Sequence, residues 1–231
     1  MDTSSPRRLW PAVVTTTKEE ARKINEAVRN GELRPLGLKL FTPNFSDSDE
    51  KVIKDNLWRV VGLLAPGAVV SYRTAIEGKP TENDTVFLVG NSRYERKIPG
   101  LNLRVNKGPG PQASDRPFIG GLFLASRPRA LLEALKPSRE RGGVRKGLFE
   151  REVESVLERE FEAGGEQKLN AIRDQARDLA PLLSADAEFK RLDRLIGVLL
   201  GSRTGATTNR SATARLSGNA YDPGRVSLLQ K

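Results

Sequence analysis

The sequence predicts an α+β fold made of a truncated winged helix, a small mixed β-sheet domain and a C-terminal antiparallel helical bundle. Three patterns within the 231 residues carry that expectation. An amphipathic helix runs straight into a Leu-rich ribbon between residues 17 and 42. Short apolar segments separated by turn residues fill 68–124, and helical periodicity is sustained from 148 to 200.

The first helix is signalled by Thr17-Lys18-Glu19-Glu20, a capping box in which the Thr17 hydroxyl takes the free amide of Glu20 while the Glu20 carboxylate reaches back. Ala21, Ile24, Ala27 and Val28 form its apolar stripe; Lys18, Arg22, Asn25 and Arg29 repeat on the opposite face. Asn30-Gly31 stops it, with the Gly left-handed. The ribbon 32–42 follows, with Leu33, Leu36, Leu38, Leu40 and Phe41 around a Pro35/Gly37 turn. Helix followed by ribbon is the second half of a winged helix, in which the helix enters the major groove and the wing touches phosphates. Only 16 residues precede Thr17, so the two preceding helices of the complete motif have no room.

Residues 49–64 read as one amphipathic helix with Val52, Ile53, Leu57, Val60, Val61 and Leu64 inward, Trp58 in the core and Pro66-Gly67 closing it. Strands are expected at 68–70, 85–89, 94–98, 101–105 and 118–124, with a short helix capped by Ser71 and ended at Gly78 between the first two. The loop 106–113 formally contains Gly108-x-Gly110-x-x-Ala113. It is rejected as a dinucleotide fingerprint, because Pro109 and Pro111 remove two of the amides that would cradle a pyrophosphate. Ser126 caps a helix through Leu135.

Residues 137–147 form a basic linker and mark the expected domain boundary; from Lys136 to Lys146 five cations face one carboxylate. Three helical stretches follow at 148–162, 166–183 and 185–200, joined by Ala163-Gly164-Gly165 and Ser184, short enough to require antiparallel packing. Residues 201–231 read as an extended tail. The expected units are thus 1–46, 47–136, the linker, 148–200 and the tail.

Composition narrows the chemistry. The chain has no Cys and no His, which excludes disulfide scaffolds, thiolate nucleophiles, zinc fingers, haem held by His or Cys, and any triad with an imidazole base. No metal, cofactor or catalytic residue is expected. Lys and Arg number 39 against 29 Asp and Glu, a net charge of +10 that suits a polyanionic partner. No apolar run is long enough to cross a membrane and no signal peptide is legible, so a cytoplasmic location is expected. The expected partner is double-stranded DNA. Lys18, Arg22 and Arg29 would contact phosphates from the helix, Asn25 a base edge, Arg34 and Lys39 the wing-side phosphates, and Lys107 and Arg116 supplementary ones.

The segments GELRPLGLKLFTPN, APGAVVSYRTAIEG, DTVFLVG, RKIPGLNLRV and LASRPRALLEAL, from Gly31 to Leu135, resemble the AbiEi antitoxin family. They resemble still more the AbiEi-like N-terminal region of some Fic (Fido-domain) proteins, whose pre-catalytic segment is similar to LDRLIGVLLGSR and GNAYDPGRVSLL here. In this resemblance Ser71, Thr74 and Ala75 match a Ser-x-x-Ser/Thr-Ala stretch and Arg129 to Leu132 match an Arg-x-Leu-Leu; Tyr72 stands where many members have His. The resemblance implies a DNA-binding, non-catalytic antitoxin-like regulator, with a cognate toxin as partner. The alternative is the regulatory or target-recognition part of a Fic adenylyltransferase, partnered by a catalytic domain. A chain without His cannot itself carry the Fic catalytic motif, and Arg73 occupies the Ser/Thr position of the inhibitory motif that Glu77-Gly78 resembles.

Overall fold

The computed structural model describes residues 9–216, with side chains through residue 202. In chain order its elements begin with β1 (Val14–Thr15), α1 (Ala21–Arg29), β2 (Arg34–Gly37), β3 (Leu40–Thr42), α2 (Asp49–Asp55) and α3 (Leu57–Leu64). Then come β4 (Val69–Val70), α4 (Tyr72–Glu77), β5 (Thr85–Gly90), β6 (Tyr94–Ile98), β7 (Leu101–Lys107), β8 (Arg116–Phe118) and β9 (Leu122–Leu124). The chain finishes in α5 (Arg127–Leu135), α6 (Glu150–Leu182) and α7 (Asp186–Leu216). The fold is mixed α and β, with seven helices and two sheets among the described residues.

The first sheet is antiparallel, in the order β1-β3-β2. Alternation gives it two apolar faces: Leu33, Val14 and Phe41 pack with Ile24 and Ala27 of α1, whereas Val13, Leu36 and Leu40 join the core beneath α2 and α3. The second sheet is mixed, in the order β6-β7-β5-β4-β9-β8, with β5 parallel to β7 and β4 parallel to β9. On one face Val70, Val86, Leu88, Leu103 and Val105 pack against α2 and α3; on the other Val69, Phe87 and Val89 meet α4 and α5.

Two expected elements are broken, each for a local reason. The helix expected at 49–64 divides at Asn56, whose backbone leaves the helical region at φ −116 and ψ 24. Its amide donates to the Val52 carbonyl at 2.9 Å, competing for an acceptor of the helix ladder, and the carbonyl of Asn56 then opens α3. The strand expected at 118–124 is instead the hairpin β8–β9. Gly120 and Gly121, at φ 73 and 75, make a turn that a strand cannot contain.

The C-terminal region is helical, as expected. Glu150 and Arg173 lie 23 positions apart, about 35 Å in a straight helix. Yet they pair with adjacent residues of α7, Arg194 at 2.9 Å and Asp193 at 2.8 Å. The chain therefore doubles back at Gly164-Gly165, where Gly165 has φ 64, and the two halves of α6 are antiparallel. Two readings of this region need correction. Residues 201–216, expected to be extended, continue α7; the rest of that expected tail, with Val226, Leu228 and Leu229, lies outside the described residues. The basic segment 137–147 separates no cores, because Val153, Leu157, Leu169, Leu192 and Ile196 share one apolar cluster with Phe87, Leu131 and Leu132.

Candidate nucleic-acid interface

The expected capping box forms by half, in the turn 18–20 that precedes α1, and the helix itself begins at Ala21. The amide of Glu20 donates to the Thr17 hydroxyl at 3.2 Å, and that hydroxyl donates to the Glu20 carboxylate at 3.2 Å. Lys18 is exposed in the turn that precedes α1, and Arg22, Asn25 and Arg29 are exposed on the helix itself, while Ile24 and Ala27 are buried beneath. Within α1 the spacing from Arg22 to Arg29 gives a face about 11 Å long, on a helix whose diameter fits a major groove. None of these three cations is in a salt bridge among the described residues. Each is exposed, and Glu26 lies one helical turn from both Arg22 and Arg29.

Beside α1 the β2–β3 hairpin turns through Leu38 and Lys39, both left-handed at φ 48 and 63. Such a turn normally takes Asn or Gly, since a Cβ crowds the carbonyl there. The Lys39 carbonyl is held by the Thr16 amide at 3.2 Å and the Thr15 hydroxyl at 3.2 Å, which tie the tip to the strand before α1. Lys39 and Leu38 are exposed at that tip.

Arg34 differs from expectation. Its guanidinium donates to the carbonyls of Asn44 at 2.5 Å and Asp47 at 2.7 Å and pairs with Asp49. Its donors thus hold the loop that leads into α2, and Arg34 is no wing contact. Nor does Lys107 join the helix and hairpin. Gly37 lies against Ile98, which pairs with Leu101, whereas Lys107 ends β7 six residues on, about 20 Å away. Arg116 sits on the opposite edge of the sheet from Lys107, four strand spacings or about 19 Å from β7, so the two cations do not join each other. Both are exposed, as separate charges.

The residues matched by resemblance, Ser71, Thr74 and Arg129, are all buried; Ser71 and Arg129 meet at Glu133, while Thr74 bonds elsewhere. The Ser71 hydroxyl, expected to cap α4, instead donates to Glu133. Arg129, fully buried, donates to Glu133 at 3.4 Å, to Asp115, and to the carbonyls of Gly110 at 2.9 Å and Pro109 at 2.8 Å. Asp115 also accepts from the amides of Gln112 at 2.8 Å and Ser126 at 2.9 Å. This network fixes the Pro/Gly-rich loop, in which no helix opens between Gly108 and Ala113. Thr74 accepts from the Phe87 amide at 3.0 Å and binds α4 to β5.

Burial pushes the Glu133 carboxyl up from its ordinary range, against the opposing pull of Arg129 and the Ser71 hydroxyl. Burial also raises the Tyr72 phenol, reinforced by the Glu133 charge. Sequence reasoning missed Glu133 and Asp115. The available signal was the Arg-x-x-x-Glu pair inside a helix otherwise made of Ala and Leu, since two charges in such a run require partners.

Among the described residues no cluster of His, Cys, Asp and Glu could hold a metal ion, and no helix is long and apolar enough to cross a membrane. The chain matches no protein-family model, no curated protein and no solved structure.

Proposed function

We propose that this protein is a non-catalytic, antitoxin-like DNA-binding regulator that lays α1 in the major groove and the β2–β3 hairpin on the adjoining phosphates. The observation that carries the reading is the exposed, unpaired row Lys18, Arg22 and Arg29, next to a hairpin whose tip presents Lys39. Strand β1 supports it further: a truncated winged helix needs a third strand to close its sheet, and residues 14–15 provide one within the chain. Asn25, in the same row, has the amide that bonds an adenine edge in a bidentate way. Cations set affinity and register; Asn25 contributes discrimination. A cognate toxin is the protein partner this reading calls for.

The test is binding of short duplex DNA at graded salt, wild type beside Lys18→Glu/Arg22→Glu. Four phosphate contacts, from Lys18, Arg22, Arg29 and Lys39, give a slope of log K on log salt of about −3.6, or roughly 150-fold weaker binding from 50 to 200 mM. The double variant should lose at least half that slope. Binding absent at low salt, or indifferent to the two substitutions, would sink the reading and favour the protein-recognition half of a Fic adenylyltransferase instead.

A further inference from the structure

A second cationic site lies away from α1, in a cleft of about 680 Å³ between the β6–β7 edge of the large sheet and the segment 137–147 that roofs it. Alternation along β7 builds its floor. Leu101, Leu103 and Val105 enter the core, which turns Arg104 and Asn106 to the opposite face, beside Phe87. Arg93 enters from the β5–β6 turn, and Arg139, Arg141 and Lys146 come from the roof. Two carboxylates, Glu95 and Glu140, also line the cleft. Glu95 is already paired across the strands with Arg104 at 3.0 Å. Arg104 donates in addition to the Arg141 carbonyl at 2.9 Å, locking roof to floor.

Arg93, Arg139, Arg141 and Lys146 are in no salt bridge among the described residues. Lys146 is half-buried; its ammonium lies 3.3 Å from the Asn106 carbonyl oxygen and 4.8 Å from the centre of the Tyr72 ring. Its pKa is lowered, by burial first and then by the nearby charges of Arg93 and Lys136, with Glu133 opposing. Arg93, Arg139 and Arg141 are exposed and Lys146 is half-buried, so with Glu140 unpaired among them the cleft keeps a positive excess that an anion would offset, most strongly at Lys146, which already feels Arg93. Guanidinium groups with a central ammonium suit phosphate oxygens in particular, by bidentate bonds and point charge respectively. The volume falls in the usual range for small-ligand clefts, about 300–1,000 Å³.

We propose that this cleft binds an oligophosphate anion the size of a nucleotide's phosphate chain, with Arg93, Arg139, Arg141 and Lys146 as its ligands and the Asn106 amide beside them. The site is independent of DNA binding by α1.

Titration of the full chain with sodium tripolyphosphate, ATP and a 12-base-pair duplex tests it, read by calorimetry and by acylation of Lys146 at pH 7.5 followed by mass spectrometry. An amine with a lowered pKa acylates readily, and a bound phosphate shields it. Tripolyphosphate should bind and protect Lys146, and Arg93→Gln/Lys146→Gln should weaken binding at least tenfold. Lys146→Arg should retain binding, and Lys18→Glu/Arg22→Glu should leave it unchanged. Equal protection by tripolyphosphate and ATP assigns recognition to phosphate alone; stronger protection by ATP adds the nucleoside. The proposal is overturned if tripolyphosphate and ATP both fail to bind at low salt, if the Gln variant binds as wild type, or if only the duplex protects Lys146.

Discussion

Replacing Arg129 by Leu removes the one cation that organises the interior where α5 meets the 106–115 loop. The substituted side chain still fills part of the space, so the cost lies in what is left behind. Two carbonyls, of Pro109 and Gly110, lose charged donors, and the buried carboxylates of Asp115 and Glu133 lose their counter-charge. Asp115 keeps two backbone amides and Glu133 keeps the Ser71 hydroxyl, so neither is wholly orphaned. Breaking a buried pair from one side costs about 3–5 kcal/mol. The retained donors place this case near about 4 kcal/mol, a third or more of a typical domain's stability. Urea denaturation of wild type, Arg129→Leu and Glu133→Gln measures it. Glu133→Gln should cost far less, because Arg129 then keeps Asp115 and both loop carbonyls, all of which Arg129→Leu strands. A loss below about 1 kcal/mol for Arg129→Leu, or an equal loss in both variants, would refute the argument that this guanidinium holds the loop.

Three further outcomes are expected. The Glu133 carboxyl is raised in the folded state, so the folded protein holds a proton the unfolded chain releases near pH 4.5; its stabilising contribution is complete below that pH and declines as pH rises toward the folded pKa. Denaturation across acid pH should show that decline in wild type and a flatter curve in Glu133→Gln. Leu38→Asn/Lys39→Gly relieves two left-handed residues and should raise stability by about 1 kcal/mol in thermal melts, and under the proposed function it should also weaken duplex binding through loss of the Lys39 charge. Gly62→Ala should destabilise by about 1–3 kcal/mol in the same melts, since a Cβ there meets the Gly120 backbone where α3 crosses the β8–β9 turn.

Local order was legible in the sequence because its causes are local. The Thr17 box, the stripe at Ile24 and Ala27, the strand alternation of Leu101, Leu103 and Val105, and the Gly164-Gly165 break each act over a few residues, so reading the chain in short windows finds them. The breaks at Asn56 and at Gly120-Gly121 were also local, and went unseen because apolar periodicity outweighed the turn and side-chain chemistry that interrupts it. The exposed row on α1 is the part of the candidate interface that one helix's pitch dictates. Composition determined the excluded chemistry outright, since a chain without His or Cys has none of their reactions to offer.

What the tertiary structure decided is where charges find partners. Ser71 and Glu133 are 62 residues apart, Arg104 and Arg141 37, and Arg34 turns from wing to loop staple through Asn44, Asp47 and Asp49. A charge shows its sign in the sequence but not its neighbours. Ion pairing depends on distances of a few ångströms, and those follow from the path of the whole chain: the strand order β6-β7-β5-β4-β9-β8 and the return of α6 on itself. The same path, by folding 137–147 over the sheet edge instead of leaving it as a linker, turned a run of basic residues into the roof of a cleft.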